Sequence, residues 1–204
     1  MLTEVAGRIS LASRRRKLRV FMDAFHPTPE TTIVDVGVVD SGFGEGGGAS
    51  STHNFLEAMY PWPSRITAVG LGALPSFEQA FPEITTVSAD GRNLPFADGE
   101  FDIAFSNAVV EHVGDEAAQR AFVAELCRVA RGVFVTTPNR WFPVDVHTLL
   151  PAVHWLPDRP RNAMLRRLGR EGIAPLGPRQ FRALFPIPVR IVNTGIALVA
   201  IGRT

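Results

Sequence analysis

At 204 residues the chain is long enough for one sizeable core and too short for two ordinary domains, so a single compact unit over residues 1–204 is the expectation. Its 46% hydrophobic and 20% charged residues exclude a disordered or fibrous chain, and a formal net charge of +1 excludes a global field that draws nucleic acid. Cys127, the single cysteine, excludes an internal disulfide framework and any zinc site built on paired cysteines, which fits a reducing, cytoplasmic setting.

Residues 9–25 carry Leu18, Phe21, Met22 and Phe25 at helical spacing among Arg14, Arg15, Arg16, Lys17 and Arg19. The pattern predicts a lid or packing helix whose basic face is solvated. The arginine run leads into this charged segment and not into an apolar stretch, so it is no export signal. The most apolar stretch, 196–201, is far below the roughly 18 residues of a spanning helix. Pro27 and Pro29 end the helix, and the β-branched run 32–37 predicts a buried parallel strand. Residues 38–51, with Gly42, Gly44, Gly46, Gly47 and Gly48, predict a flexible loop. Ser51 or Thr52 is the candidate cap of a helix that buries Phe55, Leu56, Met59 and Tyr60 before Pro61.

Strands are predicted over 66–69, 85–88 and 101–105, with a short helix over 77–81. A helix over 115–130 places Phe122, Leu126 and Val129 on one face, with Cys127 beside them as a small core residue, and 132–136 supplies the fifth strand. Residues 138–175 form an aromatic and arginine-rich insertion. A helix over 178–185, a strand over 189–192, a turn at Asn193-Thr194-Gly195 and a strand over 196–201 follow. The alternation implies an α/β fold: a Rossmann-like parallel sheet with a terminal antiparallel hairpin and helices on both faces.

Asp35-Val36-Gly37 closes the first strand, Asp90-Gly91-Arg92-Asn93-Leu94-Pro95-Phe96 follows the third, and the run from Phe101 and Asp102 to Asn107, Glu111, His112 and Val113 spans the fourth and its exit. With this element order, the segments resemble the class I S-adenosylmethionine-dependent methyltransferases, especially their "type 11" branch, over roughly residues 30 to 140. The resemblance implies that S-adenosyl-L-methionine is the cofactor, bound by Asp35, Gly37, Gly70, Leu71, Asp90, Gly91, Arg92, Asn93, Leu94 and Asn107. Asp90 would accept the adenine amine, backbone groups of Arg92 to Leu94 would meet the ring edge, and Leu94 and Phe96 would form apolar walls. Gly37 would let the backbone approach the cofactor's amino-acid end. Asp90 and Gly37 also read as turn residues, and Asp35 as a carboxylate bonded to neighbouring amides.

His112 lies at the exit of the fourth strand. An imidazole, with an ordinary pKa of about 6.5, suits the removal of a proton from a hydroxyl acceptor. A surface histidine is the alternative. Glu111 reads as a solvated helix-start residue.

Two features depart from the family. Its short Gly-Xaa-Gly-Xaa-Gly loop is displaced here by Val38-Val39-Asp40-Ser41, and its acidic residue at the end of the second strand, which bonds the ribose hydroxyls, is replaced by Gly70. Losing hydrogen bonds to a charged acceptor costs roughly 1.5–3 kcal/mol, about one to two decades of affinity. Either binding is weaker, or the longer loop and a carboxylate such as Glu45, Glu57 or Glu78 supplies the contact from elsewhere.

Trp141, Phe142, His147 and Trp155 in the insertion are the candidate acceptor-binding residues, with His154 nearby. Arg159, Arg161, Arg166, Arg167 and Arg170 either attract phosphate or carboxylate or face water while Trp155, Leu156, Met164 and Leu165 pack down. No cysteine cluster or paired-histidine motif marks a metal site. The leading expectation is methyl transfer to oxygen of a small-molecule or lipid- or saccharide-linked acceptor. The alternative is a binding or scaffold protein that kept the fold without catalysis. A nicotinamide enzyme lacks its glycine turn and following acid. Nucleic acid is not an expected partner, and the two basic stretches give a route to peripheral contact with an anionic membrane.

Overall fold

A computed structural model describes residues 2–40, 54–144, 152–168 and 176–204. The chain runs α1 (Leu2–Phe25), β1 (Ile33–Val38), α2 (Phe55–Met59), β2 (Ile66–Gly70), α3 (Pro75–Ala80), β3 (Thr85–Ser88), β4 (Phe101–Asn107), α4 (Glu116–Val129), β5 (Ala130–Pro138), α5 (Asp158–Arg167), α6 (Pro178–Ala183), β6 (Val189–Asn193) and β7 (Ala197–Arg203). The strands form one sheet in the order β3-β2-β1-β4-β5-β7-β6. β7 is antiparallel to both its neighbours, and the pairings among β1 to β5 are parallel. Strand order reverses between β1 and β4, and in such sheets ligands bind outside the carboxyl ends at that reversal.

Side chains alternate across the sheet, so neighbours in one strand enter two different cores. Val34, Val36, Val133, Val135, Leu198 and Ala200 face α4 and α6. Ile33, Ala68, Ile103, Phe105, Phe134 and Val199 face α1, α2 and α3. Burial on both faces is why these strands read as continuous apolar runs.

α4 forms where expected. The Asp115 carboxylate caps it by accepting from the Ala118 amide at 2.9 Å, and Phe122, Val123, Leu126 and Val129 are buried. Cys127 packs beside them, and burial pushes its thiol up to about 12, so it is a packing group and not a reactive thiol. α3 starts at Pro75, whose fixed φ suits a first helical position. α2 starts after Asn54, whose side chain makes no cap bond; Ser51, Thr52 and the glycine loop lie outside the described residues.

α1 is a packing helix. Phe21 is fully buried, edge-on to Phe105 at 5.6 Å and to Phe134 at 5.3 Å. Arg16 donates to the Thr194 carbonyl, and Arg203 of the last strand donates to the Ala24 carbonyl. Its basic face is not uniformly solvated, in contrast to the sequence expectation: Lys17 is 8% exposed. Lys17 lies one turn before Phe21 and shares its buried side. Among the described residues, no helix is long and apolar enough to cross a membrane.

Candidate functional site

At the exit of β1, Gly37 adopts φ +107°, and a Cβ there would lie 2.2 Å from a Val109 methyl. Glycine is required for both reasons. Val109 belongs to the exit of β4, so the two strand ends at the reversal point touch. The chain then leaves β1 under constraint. The Asn54 side chain accepts from the Val39 amide at 3.1 Å and donates to the Val39 carbonyl at 2.7 Å, closing the base of the long loop. Asp40 Oδ1 accepts from the Phe77 amide in the first turn of α3 at 2.8 Å.

At the exit of β2, a Cβ on Gly70 would stand 2.9 Å from the Val38 carbonyl oxygen. The next residue, Leu71, is 83% exposed, the largest solvent exposure among the big apolar side chains described. At the exit of β3, the Asp90 carboxylate accepts from its own turn, from the Arg92 amide at 2.9 Å, and pairs with the Arg92 guanidinium at 2.6 Å. Those bonds hold the Asp90 carboxyl down at about 2. Gly91 is pressed against the Phe122 ring and Val36, leaving no room for a side chain.

Of the backbone groups of Arg92 to Leu94 expected at a ring edge, the three N–H groups are engaged within the protein. Arg92 N–H is held by the Asp90 carboxylate, Asn93 N–H by the Asp90 carbonyl and Leu94 N–H by Glu125 Oε2 at 2.8 Å. Leu94 is a core side chain packed with the α4 cluster, so it is not an open wall. Phe96 packs against the same core, edge-on to Phe101.

The exits of β4 and β5 carry buried charge. Ala108 takes a left-handed φ of 57°, held by the Thr136 carbonyl and hydroxyl, and a 3-10 turn over Val110–His112 follows. Asn107 Oδ1 accepts from Thr136 Oγ1 at 2.9 Å and from Lys17 Nζ at 2.5 Å. The Lys17 ammonium also stands 5.0 Å from the Phe55 ring centre. Burial, with Arg14 adding to it, lowers Lys17 to about 8, against the opposing pull of Glu111.

Glu111 is 3% exposed, which corrects its reading as a solvated residue. The 3-10 turn rotates it inward, where Oε2 accepts from Thr137 Oγ1 at 3.1 Å and Oε1 meets no donor. Burial pushes its carboxyl up to about 7. His112, next in sequence, is exposed.

Beneath Gly37, Asp35 is buried opposite Glu57 of α2. Burial raises both carboxyls, and Glu57 raises Asp35 further. Neither Glu57 oxygen meets an N–H or hydroxyl, so a shared proton is what lets two carboxyls face each other in the interior. Glu57, buried opposite Asp35, is not available to a ribose. Glu78 is exposed and accepts from Thr86 Oγ1. Glu45 lies outside the described residues.

On the acceptor side, Trp141 is 60% exposed beside Arg140 and Gly177, and Phe142 is half-buried. Trp155 is 46% exposed on a separate turn, linked to that segment through the bond from the Ala152 amide to the Pro143 carbonyl. Of the arginines, Arg161 is buried with Leu165 on the inner side of α5, contrary to a wholly solvated set, while Arg159, Arg166 and Arg167 are exposed. His147 and Arg170 lie outside the described residues. The described residues contain no group of three or more candidate metal ligands.

The structure thus gathers Asp35, Gly37, Gly70, Leu71, Asp90, Gly91 and Asn107 at the exits of β1 to β4. Sequence reading gave no role to Lys17 or Asp40, offered Glu57 only as a ribose contact and took the inward Glu111 as solvated. Lys17 and Glu57 carry a signal, since each sits on the apolar side of its helix.

Residues 39–135, a little under half of the chain, match a family model described as a methyltransferase domain, of type 11. Two curated proteins of Mycobacterium tuberculosis, each described as a probable S-adenosylmethionine-dependent methyltransferase, are 31% identical over 115 residues, 55% of this chain. The matched part is 38% of their length, so this chain spans well under half of those relatives. Among solved structures, a protein of Pyrococcus horikoshii superposes with a TM-score of 0.64 at 15% identity, covering 95% of this chain and 90% of that one. A geranyl diphosphate C-methyltransferase of Streptomyces coelicolor gives 0.59 at 14%, covering 93% and 79%. An N-methyltransferase of Bradyrhizobium japonicum, in complex with S-adenosyl-L-homocysteine, gives 0.57 at 14%, covering 94% and 86%. At these identities the likeness is one of fold.

Proposed function

We propose that the chain belongs to the type 11 branch of the class I S-adenosylmethionine-dependent methyltransferases and moves a methyl group from S-adenosyl-L-methionine to a small-molecule or lipid- or saccharide-linked acceptor, with oxygen as the favoured atom. The observation that carries the reading is the composition of the strand exits at the reversal point. Close-packed glycines leave the backbone bare at Gly37 and Gly91, Leu71 offers an uncovered apolar surface, and Asp90 and Asn107 supply polar contacts. That set fits a ligand with a flat apolar ring at one end and an amino acid at the other.

When bound, the cofactor supplies an electrophilic methyl on a sulfonium centre. The leaving group needs little activation, so the chain contributes alignment and a dry site. For a hydroxyl acceptor a proton must also leave, and His112, exposed at the end of the β4 turn, is our proposed base. Trp141, Phe142 and Trp155 would line the acceptor side.

Calorimetric titration with S-adenosylmethionine and its demethylated product tests this reading. Micromolar binding is expected. No heat up to millimolar ligand would leave the second reading, a scaffold without catalysis, which the lack of room for an acid at Gly70 favours.

A lipid-linked acceptor would bring a cytoplasmic enzyme to a bilayer. The exposed Arg159, Arg166 and Arg167 share one side of α5, with exposed Trp155, Leu156 and Leu168 at its ends. Vesicles with 30% anionic lipid are expected to retain the protein at moderate salt where neutral ones do not; equal retention would remove this part of the reading.

A further inference from the structure

An S-adenosyl cofactor presents two adjacent ribose hydroxyls, and the end of β2 offers them nothing. Gly70 pairs with Val38 of β1, and a side chain on it would meet the Val38 carbonyl oxygen at 2.9 Å and both Leu74 methyl carbons at 3.1 Å. The missing acid is thus a steric consequence of how β1 leaves the sheet, through the irregular pairing between Val36 and Val38.

That same departure carries a carboxylate to the vacated corner. Asp40 follows Val38 by two residues, and its Oδ1 accepts from Phe77 N–H at 2.8 Å. The bond holds Asp40 at the first turn of α3, the helix that follows the connection from Gly70 to Leu74. Its neighbour Val39 is fixed by the two bonds to the Asn54 side chain, so Asp40 sits on anchored backbone. Among the described residues, Glu57 is buried opposite Asp35, and Glu78 of α3 is exposed and bonded to Thr86 of β3.

We infer that Asp40 is the ribose-binding carboxylate of this chain, replacing from β1 the acid that β2 cannot carry. One oxygen holds the α3 amide. An ionised carboxylate has about four acceptor positions, which leaves Oδ2 for the vicinal hydroxyls. The inference rests on the cofactor reading above and makes the irregular loop a relocation of the contact, not its loss.

Asp40→Asn keeps an oxygen for the Phe77 amide and turns the other acceptor into a donor. Calorimetry with S-adenosylhomocysteine is expected to show a roughly ten- to hundredfold loss of affinity, the range for hydrogen bonds to a charged group. The melting temperature of the ligand-free protein should stay unchanged. Asp40→Ser, which also retains an acceptor for the amide, should repeat the loss. Against a 2′,3′-dideoxy analogue, wild type and both variants should bind alike. Wild-type affinity in Asp40→Asn, or an equal loss against both ligands, overturns the assignment and leaves the cofactor reading standing. Failure of the wild type to bind S-adenosylhomocysteine overturns both.

Discussion

The exits of β1 and β2 and the exits of β4 and β5 lie on one edge of one sheet, and they solve opposite problems. The first corner is built by removing side chains. Gly37 and Gly70 let the backbone of two strands and the β4 turn close on one another, with Asp40 at the rim and the Asp35 and Glu57 pair buried beneath. The second corner is filled with buried polar groups: Lys17, Asn107, Glu111, Thr136 and Thr137. A corner of bare backbone fails by steric overlap, and a corner of buried charge fails by desolvation. The two should therefore respond to different perturbations.

Gly37→Ala should give the largest effect. It sets a Cβ against Val109 and forces alanine to φ +107°, and the overpacking and strain together are expected to cost about 3–5 kcal/mol in urea unfolding. A loss below about 1 kcal/mol would show that the first corner is looser than described. Its cost should be nearly independent of pH.

The second corner should be the reverse. Glu111 is raised from 4.5 to about 7, so the folded state holds a proton that the unfolded chain releases earlier. That contribution is fully present below about pH 4.5 and is lost as pH rises through 7, a fall of about 3 kcal/mol at about 1.4 kcal/mol per unit. Lys17 is lowered from 10.5 to about 8, so its burial penalty is complete below pH 8 and is relieved as pH rises toward 10.5. Stability should pass through a trough between about pH 7 and 8. Glu111→Gln is expected to shallow the acid wall of that trough, and Lys17→Met, by a comparable amount, the alkaline wall. The Asp35 and Glu57 pair is also raised, so part of the acid wall should survive Glu111→Gln. A stability profile unchanged by either variant would show that these groups titrate as they do in water.

The two corners also differ in how far they could be read from sequence. The strands and α4 follow from local periodicity, and Gly37 and Gly91 were marked by their place after strands. Gly70 could be seen as a departure, but not as a position with no room, because the atoms that crowd it come from β1 and from Leu74. Asp40 meets Phe77 across 37 positions, and Lys17 meets Asn107 across 90. No local pattern encodes such contacts. Glu111 was misread for a related reason. It stands beside His112 in a short turn, and only the packing of Val110 and the reach to Thr137 decide which of the two side chains faces inward.

α1 is made before the strands it packs against and finds its place only after them. Phe21 has no site until Phe105 and Phe134 exist, and the Arg203 bond to Ala24 waits for the final strand. During synthesis, at about 5–20 residues per second, the helix must hold an apolar stripe in water for several seconds or more. Its many arginines, four of them between residues 14 and 19, keep that waiting segment soluble and discourage it from pairing with another nascent copy. The basic face of α1 thus has a use in the unfinished chain that is separate from anything it does in the finished one.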